Sequence, residues 1–191
     1  MVAGEDILGA SGEGLRGMRK RIQMIFQDPF GSLNPRRRVG PMIARAAVLS
    51  GASRAEAVTR AKELLELVGL ERSAYTRRPA AFSGGQRQRI GIARALAMQP
   101  DVLIADESVS ALDVSVQAQV LDLLADLQKR LQLAVVFITH DLRVAAQISD
   151  EIVVLSQGHV VERGPASEVL TRPQHPYTRE LIAAAPGRDA F

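Results

Sequence analysis

The chain contains no cysteine and no tryptophan. The missing thiols exclude disulfides, thiol catalysis and cysteine-ligated metal or iron–sulfur sites. Aromatic residues make up 4% of the chain, so aliphatic side chains must fill the core. No apolar run approaches the roughly 20 residues of a membrane span, and no secretory signal follows Met1. Any membrane role is therefore expected to come through a partner. Charge of one sign is also lacking. The net value is +3, and Arg heavily outnumbers Lys, but acids are nearly as numerous as bases, so a nucleic-acid partner has little support. At 191 residues with 47% hydrophobic and 24% charged content, the chain has the size and balance of one globular domain with a real core.

Strand-like and helix-like stretches alternate, which predicts an α/β architecture. Val2–Ile7 reads as the end of a strand and a turn, followed by a Gly-rich, then basic segment to Lys20. Arg21–Gln27 is a short β-prone run ending on an amide, and Asp28-Pro29-Phe30-Gly31 and Leu33-Asn34-Pro35 are turn formers. A helical pattern covers 39–50. Ser53 and Glu56 form a capping box for a second helix stopped by Gly69. These make a helical insert over 39–78, left through Arg77-Arg78-Pro79. A helix from Gln86 to Met98, a strand at 102–105 and a helix from Val114 to Leu131 follow, the last with Val116, Val120, Leu123, Leu124 and Leu127 at helical spacing. Leu133–Ile138 reads as a fully buried parallel strand. Glu151–Ser156 and Val160–Glu162 read as a hairpin at the sheet edge.

The chemistry concentrates at strand ends. Val102-Leu103-Ile104-Ala105 ends in Asp106 and Glu107, where open α/β sheets bind ligands. Adjacent carboxylates repel unless a cation or proton separates them, and Mg²⁺ takes oxygen ligands and bridges to phosphates. Asp106 is the natural magnesium ligand, and Glu107 can polarise an attacking water. Ser83-Gly84-Gly85-Gln86 opens a helix whose free N–H groups favour an anion. His140 follows the second apolar strand and points toward the same crevice. Gln27 ends a strand and can reach a ligand. Each feature also has a plain reading: solvated acids, a serine N-cap, a capping histidine, a surface glutamine. Asp113 is an ordinary N-cap for the helix after it.

Their order along the chain is what separates the two readings. Phe82–Leu96 (FSGGQRQRIGIARAL), Val102–Glu107 (VLIADE), Ser110–Asp113 (SALD) and Ile138–Asp141 (ITHD) resemble the signature, Walker B, D-loop and His-switch motifs of the ATP-binding subunits of ABC transporters. Ile25–Arg36 (IFQDPFGSLNPR) resembles the Q-loop of the dipeptide, oligopeptide and nickel importers, and His175–Pro186 (HPYTRELIAAAP) that subfamily's tail. The resemblance covers about residues 1 to 186.

It implies a P-loop-NTPase-like core with a mostly parallel sheet and a helical subdomain at 39–98, core strands at 99–163 and a subfamily tail at 164–191. It implies ATP and Mg²⁺ as cofactors. Gln27 and Asp106 would attend the magnesium, Glu107 would be the general base, and His140 would contact the γ-phosphate. Ser83, Gly84, Gly85 and Gln86 would face the nucleotide of a second ATPase subunit, in a homo- or heterodimer across which Asp113 communicates. Membrane permeases and, indirectly, an extracytoplasmic solute-binding protein are the further partners implied, with peripheral placement on the inner face of a prokaryotic membrane.

Departures accompany the match. No Gly-x-x-x-x-Gly-Lys-Ser/Thr occurs; Gly9 and Gly14 have the spacing, but Leu15 and Arg16 follow. The resemblance thus implies a chain starting between P-loop and Q-loop, without the first strands, and inactive alone. Ser108 stands where the family usually has Pro, and Ala80-Ala81 where the subfamily often has His-Glu. Two other readings stay open: a non-hydrolysing partner lending its signature to a complete ATPase, and an ABC ATPase of DNA repair or chromosome structure.

Overall fold

The computed structural model describes residues 11–28 and 33–185, together with Gly4, Asp6, Gly9 and Gly31. The strand expected at Val2–Ile7 lies outside them for the most part. The chain divides into two compact units, Met1–Val136 and Phe137–Phe191.

The first unit opens with a helix the sequence did not suggest, α1 (Gly12–Arg21), in which only Met18 is buried. Its three glycines hide the helical pattern. Arg19, Lys20 and Arg21 fill its last turn, where the carbonyl end of a helix favours cations. The chain passes directly into β1 (Ile22–Ile25), which pairs in parallel with β2 (Val102–Asp106), from Ile22 opposite Val102 to Ile25 opposite Ala105. With β3 (Ala134–Ile138) the sheet order is β1–β2–β3. Leu103 and Ala105 of the middle strand are fully buried. An ion pair between Arg21 and Asp101, and the Asp101 N–H on Arg21 O at 2.8 Å, hold the starts of β1 and β2 level.

The expectation of a fully buried β3 is corrected. Its residues alternate between exposed and half-buried, with Val136 at 50% and Ile138 at 45% exposure. A short unbroken apolar run carries no periodicity, so composition alone does not report how many faces are covered.

The helical part follows the sequence closely. α2 (Val39–Ser50) ends at Gly51, whose φ of +119° suits glycine. α3 (Arg54–Leu67) begins with the expected box: Glu56 N–H donates to Ser53 Oγ at 3.3 Å, and Ser53 N–H to Glu56 Oε2 at 2.8 Å. Ile43 and Ala47 of α2 and Ala57, Ala61 and Leu65 of α3 are essentially inaccessible, so small residues let these helices approach. Two 3₁₀ turns, Arg72–Thr76 and Pro79–Ala81, lead to α4 (Gly84–Leu96). α5 (Val114–Leu131) buries Val120, Leu121, Leu124 and Leu127, a stripe at helical spacing.

In the second unit α6 (Leu142–Ile148) is capped by Asp141, which accepts the Arg143 N–H at 2.9 Å. The hairpin forms as expected: β4 (Glu151–Ser156) and β5 (His159–Pro165) are antiparallel, joined by Gln157 and Gly158, both at positive φ. Its placement is corrected, because it makes a separate two-stranded sheet rather than an edge of the larger one. Turn chemistry specifies a hairpin locally; nothing local specifies which sheet it joins. Ile152 and Val154 pack with Ala166, Val169 and Leu170 of α7 (Ala166–Thr171). α8 (Pro176–Ala184) completes the unit, and the Glu162 carboxylate fixes its approach by accepting the N–H groups of Gln174 at 2.7 Å and His175 at 3.1 Å.

Candidate functional site

The register of β1 on β2 builds the site. Ile25 lies opposite Ala105, so two residues further along each strand Gln27 comes opposite Glu107. The contact is direct: Gln27 Nε2 donates to Glu107 Oε2 at 2.6 Å. Sequence reasoning placed both residues at strand ends but did not join them. Only the pairing register carries that information.

Glu107 adopts φ +42°, an uncommon conformation for a side chain with a Cβ. A tight turn holds it there. Its carbonyl accepts both the Ser110 N–H at 3.1 Å and the Ser110 hydroxyl at 2.9 Å. A hydroxyl three residues after a strand-end acid is the local signal that marks the turn. Asp106 and Glu107 are both half-buried. Ser108 between them and the turn is 2% exposed, and its hydroxyl has no partner.

The N-terminus of α4 forms a second element. Gln86 N–H donates to Ser83 Oγ at 3.3 Å, and Ser83 N–H donates to Gln86 Oε1 at 3.1 Å, a complete capping box. The box uses the acceptor oxygens of both side chains. The Ser83 hydroxyl proton and the Gln86 amide N–H₂ remain as donors, which is the polarity an anion needs. Gly85 has a packing reason: a Cβ built there would fall 2.2 Å from Val116 Cγ1 of α5. A Cβ at Gly84 would lie 3.5 Å from Leu112 Cδ2. The glycines thus bring the start of α4 against the start of α5. There Asp113 is the N-cap, accepting Val116 N–H at 3.0 Å and the Ser115 hydroxyl at 3.2 Å. Its carboxyl is held below the usual aspartate value, chiefly by the Val116 N–H.

The structure therefore joins Gln27 with Glu107, and Gly85 with the helix that Asp113 caps, within the first unit. His140 belongs to the second unit, exposed, directly after β3. Beside it Asp141 N–H donates to Thr139 Oγ1 at 3.0 Å. Among the described residues no group of three His, Cys, Asp or Glu could hold a metal by protein ligands alone. The Asp106 carboxylate and the Gln27 amide oxygen suit the other mode, in which Mg²⁺ takes one or two protein oxygens and completes its shell with phosphate and water.

Residues 2–110 match the family model described as ABC transporter. The chain is 46% identical over 186 residues to the di/tripeptide transport ATP-binding protein DppF of Pseudomonas aeruginosa, covering 97% of this chain and 58% of that protein. It is 47% identical over 184 residues to the dipeptide transport ATP-binding protein DppF of Escherichia coli, covering 96% of this chain and 55% of that one. The chain thus spans less than two thirds of the length of these relatives. Among solved structures, cbiO1 of Clostridium perfringens, part of the ABC transporter complex cbiONQ, superposes with TM-score 0.77 at 29% identity, over 91% of this chain and 66% of that one. The ATP-binding cassette MJ0796, in a dimeric post-hydrolysis state bound to ADP and Pi, gives TM-score 0.70 at 30% identity, over 83% and 68%.

Proposed function

The chain belongs to the ABC transporter family, and from that premise we propose that it is an ATP-binding, ATP-hydrolysing subunit energising import of di- or oligopeptides or nickel. The observation that carries the reading is the Gln27–Glu107 contact at the ends of two parallel strands.

Each residue then has a task set by its chemistry. Glu107 accepts the proton of an attacking water, and Gln27 holds that carboxylate until nucleotide arrives. Asp106 and the Gln27 amide oxygen would hold Mg²⁺, which when bound neutralises phosphate charge. Ser83, Gly84, Gly85 and Gln86 offer donors to the γ-phosphate of a nucleotide on a neighbouring ATPase subunit. Asp113 communicates across the dimer, and His140 contributes a donor to the γ-phosphate. The helical part at 39–98, the strands at 99–163 and the tail at 164–191 are read as subdomain, catalytic core and subfamily extension. The partners proposed are a second ATPase subunit, membrane permeases and, through them, an extracytoplasmic binding protein, with this chain peripheral on the inner membrane face. Among the described residues no helix is long and apolar enough to cross a membrane.

The sequence holds no Gly-x-x-x-x-Gly-Lys-Ser/Thr to cradle phosphates, so the purified chain is expected to hydrolyse Mg-ATP at background rate. Assaying it beside Glu107→Gln tests both claims. Clear turnover that falls about 10²–10⁴-fold in the variant keeps Glu107 as the base and removes the expected inactivity. Clear turnover indifferent to the variant removes Glu107 from the chemistry.

The capping box favours a second reading, in which the chain lends α4 to a partner that carries its own phosphate loop. Mixing it with the Escherichia coli relative should then raise that protein's turnover, and Ser83→Ala should weaken the effect. No rise in turnover would reject the reading.

A further inference from the structure

α8 starts on a cap unlike those of the other helices. Its N-cap is His175, whose Nδ1 accepts the Tyr177 N–H at 3.2 Å. Pro176, at the first helical position, has no N–H, so Tyr177 carries the first donor that must be satisfied. The other side-chain caps among the described residues are Ser53, Ser83, Asp113 and Asp141, at the starts of α3, α4, α5 and α6. Both aspartates are held below the usual carboxylate range, Asp113 chiefly by the Val116 N–H and Asp141 chiefly by the Arg143 side chain. These hydroxyls and carboxylates therefore accept at any pH near neutrality. An imidazole is different, because its charge changes between about pH 5 and pH 8. Nδ1 accepts only in the neutral tautomer with the proton on Nε2, and in the imidazolium both ring nitrogens donate.

Protonation acts against this cap twice. It sets two donors face to face, and it places positive charge at the positive end of a helix. A carboxylate stands beside the same backbone. Glu162 of β5 accepts the His175 N–H at 3.1 Å and the Gln174 N–H at 2.7 Å. The Gln174 bond chiefly holds the Glu162 carboxyl below its ordinary value, so it is still ionised when an imidazole gains its proton. The further titratable or charged groups on the surrounding elements are Arg163 of β5, Glu168 of α7, Arg172 at its end, and Tyr177, Arg179 and Glu180 of α8. Arg163 is paired with Glu151 of β4. The Arg179 guanidinium donates to the carbonyls of Pro173 at 3.0 Å and Gln174 at 3.1 Å.

We propose that His175 is a pH-operated cap: neutral, it closes the first turn of α8, and protonated, it releases the Tyr177 N–H, turns toward the Glu162 carboxylate and lets that turn fray. Leu181, in the second half of α8, packs against the cluster of Ile152, Val154 and Val169. Fraying at the first turn thus leaves the helix held by its far half. Acid loosens the tail in two separate steps, first at Tyr177 through His175, and at lower pH at Gln174 and His175 through Glu162. The device lies within the second unit and needs no nucleotide, so it stands or falls separately from the proposed function.

Nitrogen-15 NMR of the purified chain tests it. The chain has three histidines, so the ring signals are few and are assigned by single replacements. At about pH 8 the His175 ring should be in the Nε2–H tautomer. Between about pH 8 and pH 5, solvent exchange of the Tyr177 N–H should rise about five-fold relative to that of the Gln174 N–H, the change expected when one N-cap is lost. Taking the ratio of the two amides cancels the pH dependence of exchange chemistry itself. His175→Asn supplies an acceptor that does not titrate, and in that variant the ratio should stay level.

An Nδ1–H tautomer at about pH 8 would overturn the proposal, as would a ratio that does not change with pH in the unaltered chain. The same rise in the His175→Asn variant would also overturn it, assigning the fraying to another group. Should that variant fail to fold, the tautomer and the ratio in the unaltered chain decide the outcome.

Discussion

Gly85→Ala is a sharp test of how the two helix starts are held together. A Cβ at this position would sit 2.2 Å from Val116 Cγ1, where ordinary contact begins at 3.4 Å, so something must move by at least ~1.2 Å. Val116 is a poor candidate, because a β-branched side chain in a helix has essentially one χ1 rotamer. Gly85 is buried on the face of α4 turned to α5, so the movement must be taken up by the helices. Overpacking of this kind costs typically 1–3 kcal/mol, while alanine in place of glycine in a helix returns up to about 1 kcal/mol. The single variant should therefore lose up to about 2 kcal/mol. In a Val116→Ala background the obstacle is gone, and the same substitution should be neutral or stabilising by about 0.5–1 kcal/mol. Urea denaturation of the four proteins of this cycle gives the coupling directly, and it should lie between about 1 and 3 kcal/mol. A coupling near zero would refute the packing account and return Gly85 to a role in ligand approach alone.

Other expectations follow from the same geometry. Ser53→Ala and Ser83→Ala each remove a capping box and should each cost about 1 kcal/mol in denaturation, but only Ser83→Ala should alter stimulation of a partner ATPase; equal effects on both readouts would make Ser83 merely a cap. Ser108→Ala deletes a buried, unpartnered hydroxyl and should be neutral or stabilising by up to about 1 kcal/mol, and a clear loss of stability would mean that the hydroxyl is satisfied. The Glu162 carboxyl is held below its ordinary value, chiefly because it accepts the Gln174 N–H. A depressed carboxyl stabilises the fold above its unfolded pKa and ceases to as pH falls through the folded value. Amide-exchange protection at Gln174 and His175 should therefore persist at neutral pH and fade below the ordinary glutamate range of about 4.3; protection surviving well below that would separate the tail's docking from Glu162.

What could be read from the sequence was local. The Ser53 box, the Asp113 cap, the Gln157-Gly158 turn and the stripe of α5 each depend on residues a few positions apart, so a short window contains the whole cause. What could not be read was cooperative or distant. α1 is masked by its glycines, and its basic last turn acts through the helix dipole rather than through apolar spacing. The uncovered side of β3 depends on neighbours that an apolar run does not name. In the site, Asp106, Glu107 and Gln27 were visible as chemistry, but the bond between Gln27 and Glu107 spans 80 positions and exists only through register. The clearance at Gly85 was likewise invisible, since it depends on where α5 passes.

The parallel pairing of β1 with β2 also makes the site a matter of counting. Each of Gln27 and Glu107 stands two residues beyond the last matched pair, Ile25 with Ala105. Loops after these positions can lengthen without touching the contact. A deletion of Phe26 is different: it keeps every strand residue in place but advances the next ones, so Asp28 arrives opposite Glu107. An amide donor would give way to a second carboxylate, and attraction would become repulsion. One residue of backbone length, in a stretch that bears no catalytic group itself, thus sets whether the two strand ends hold each other or push apart.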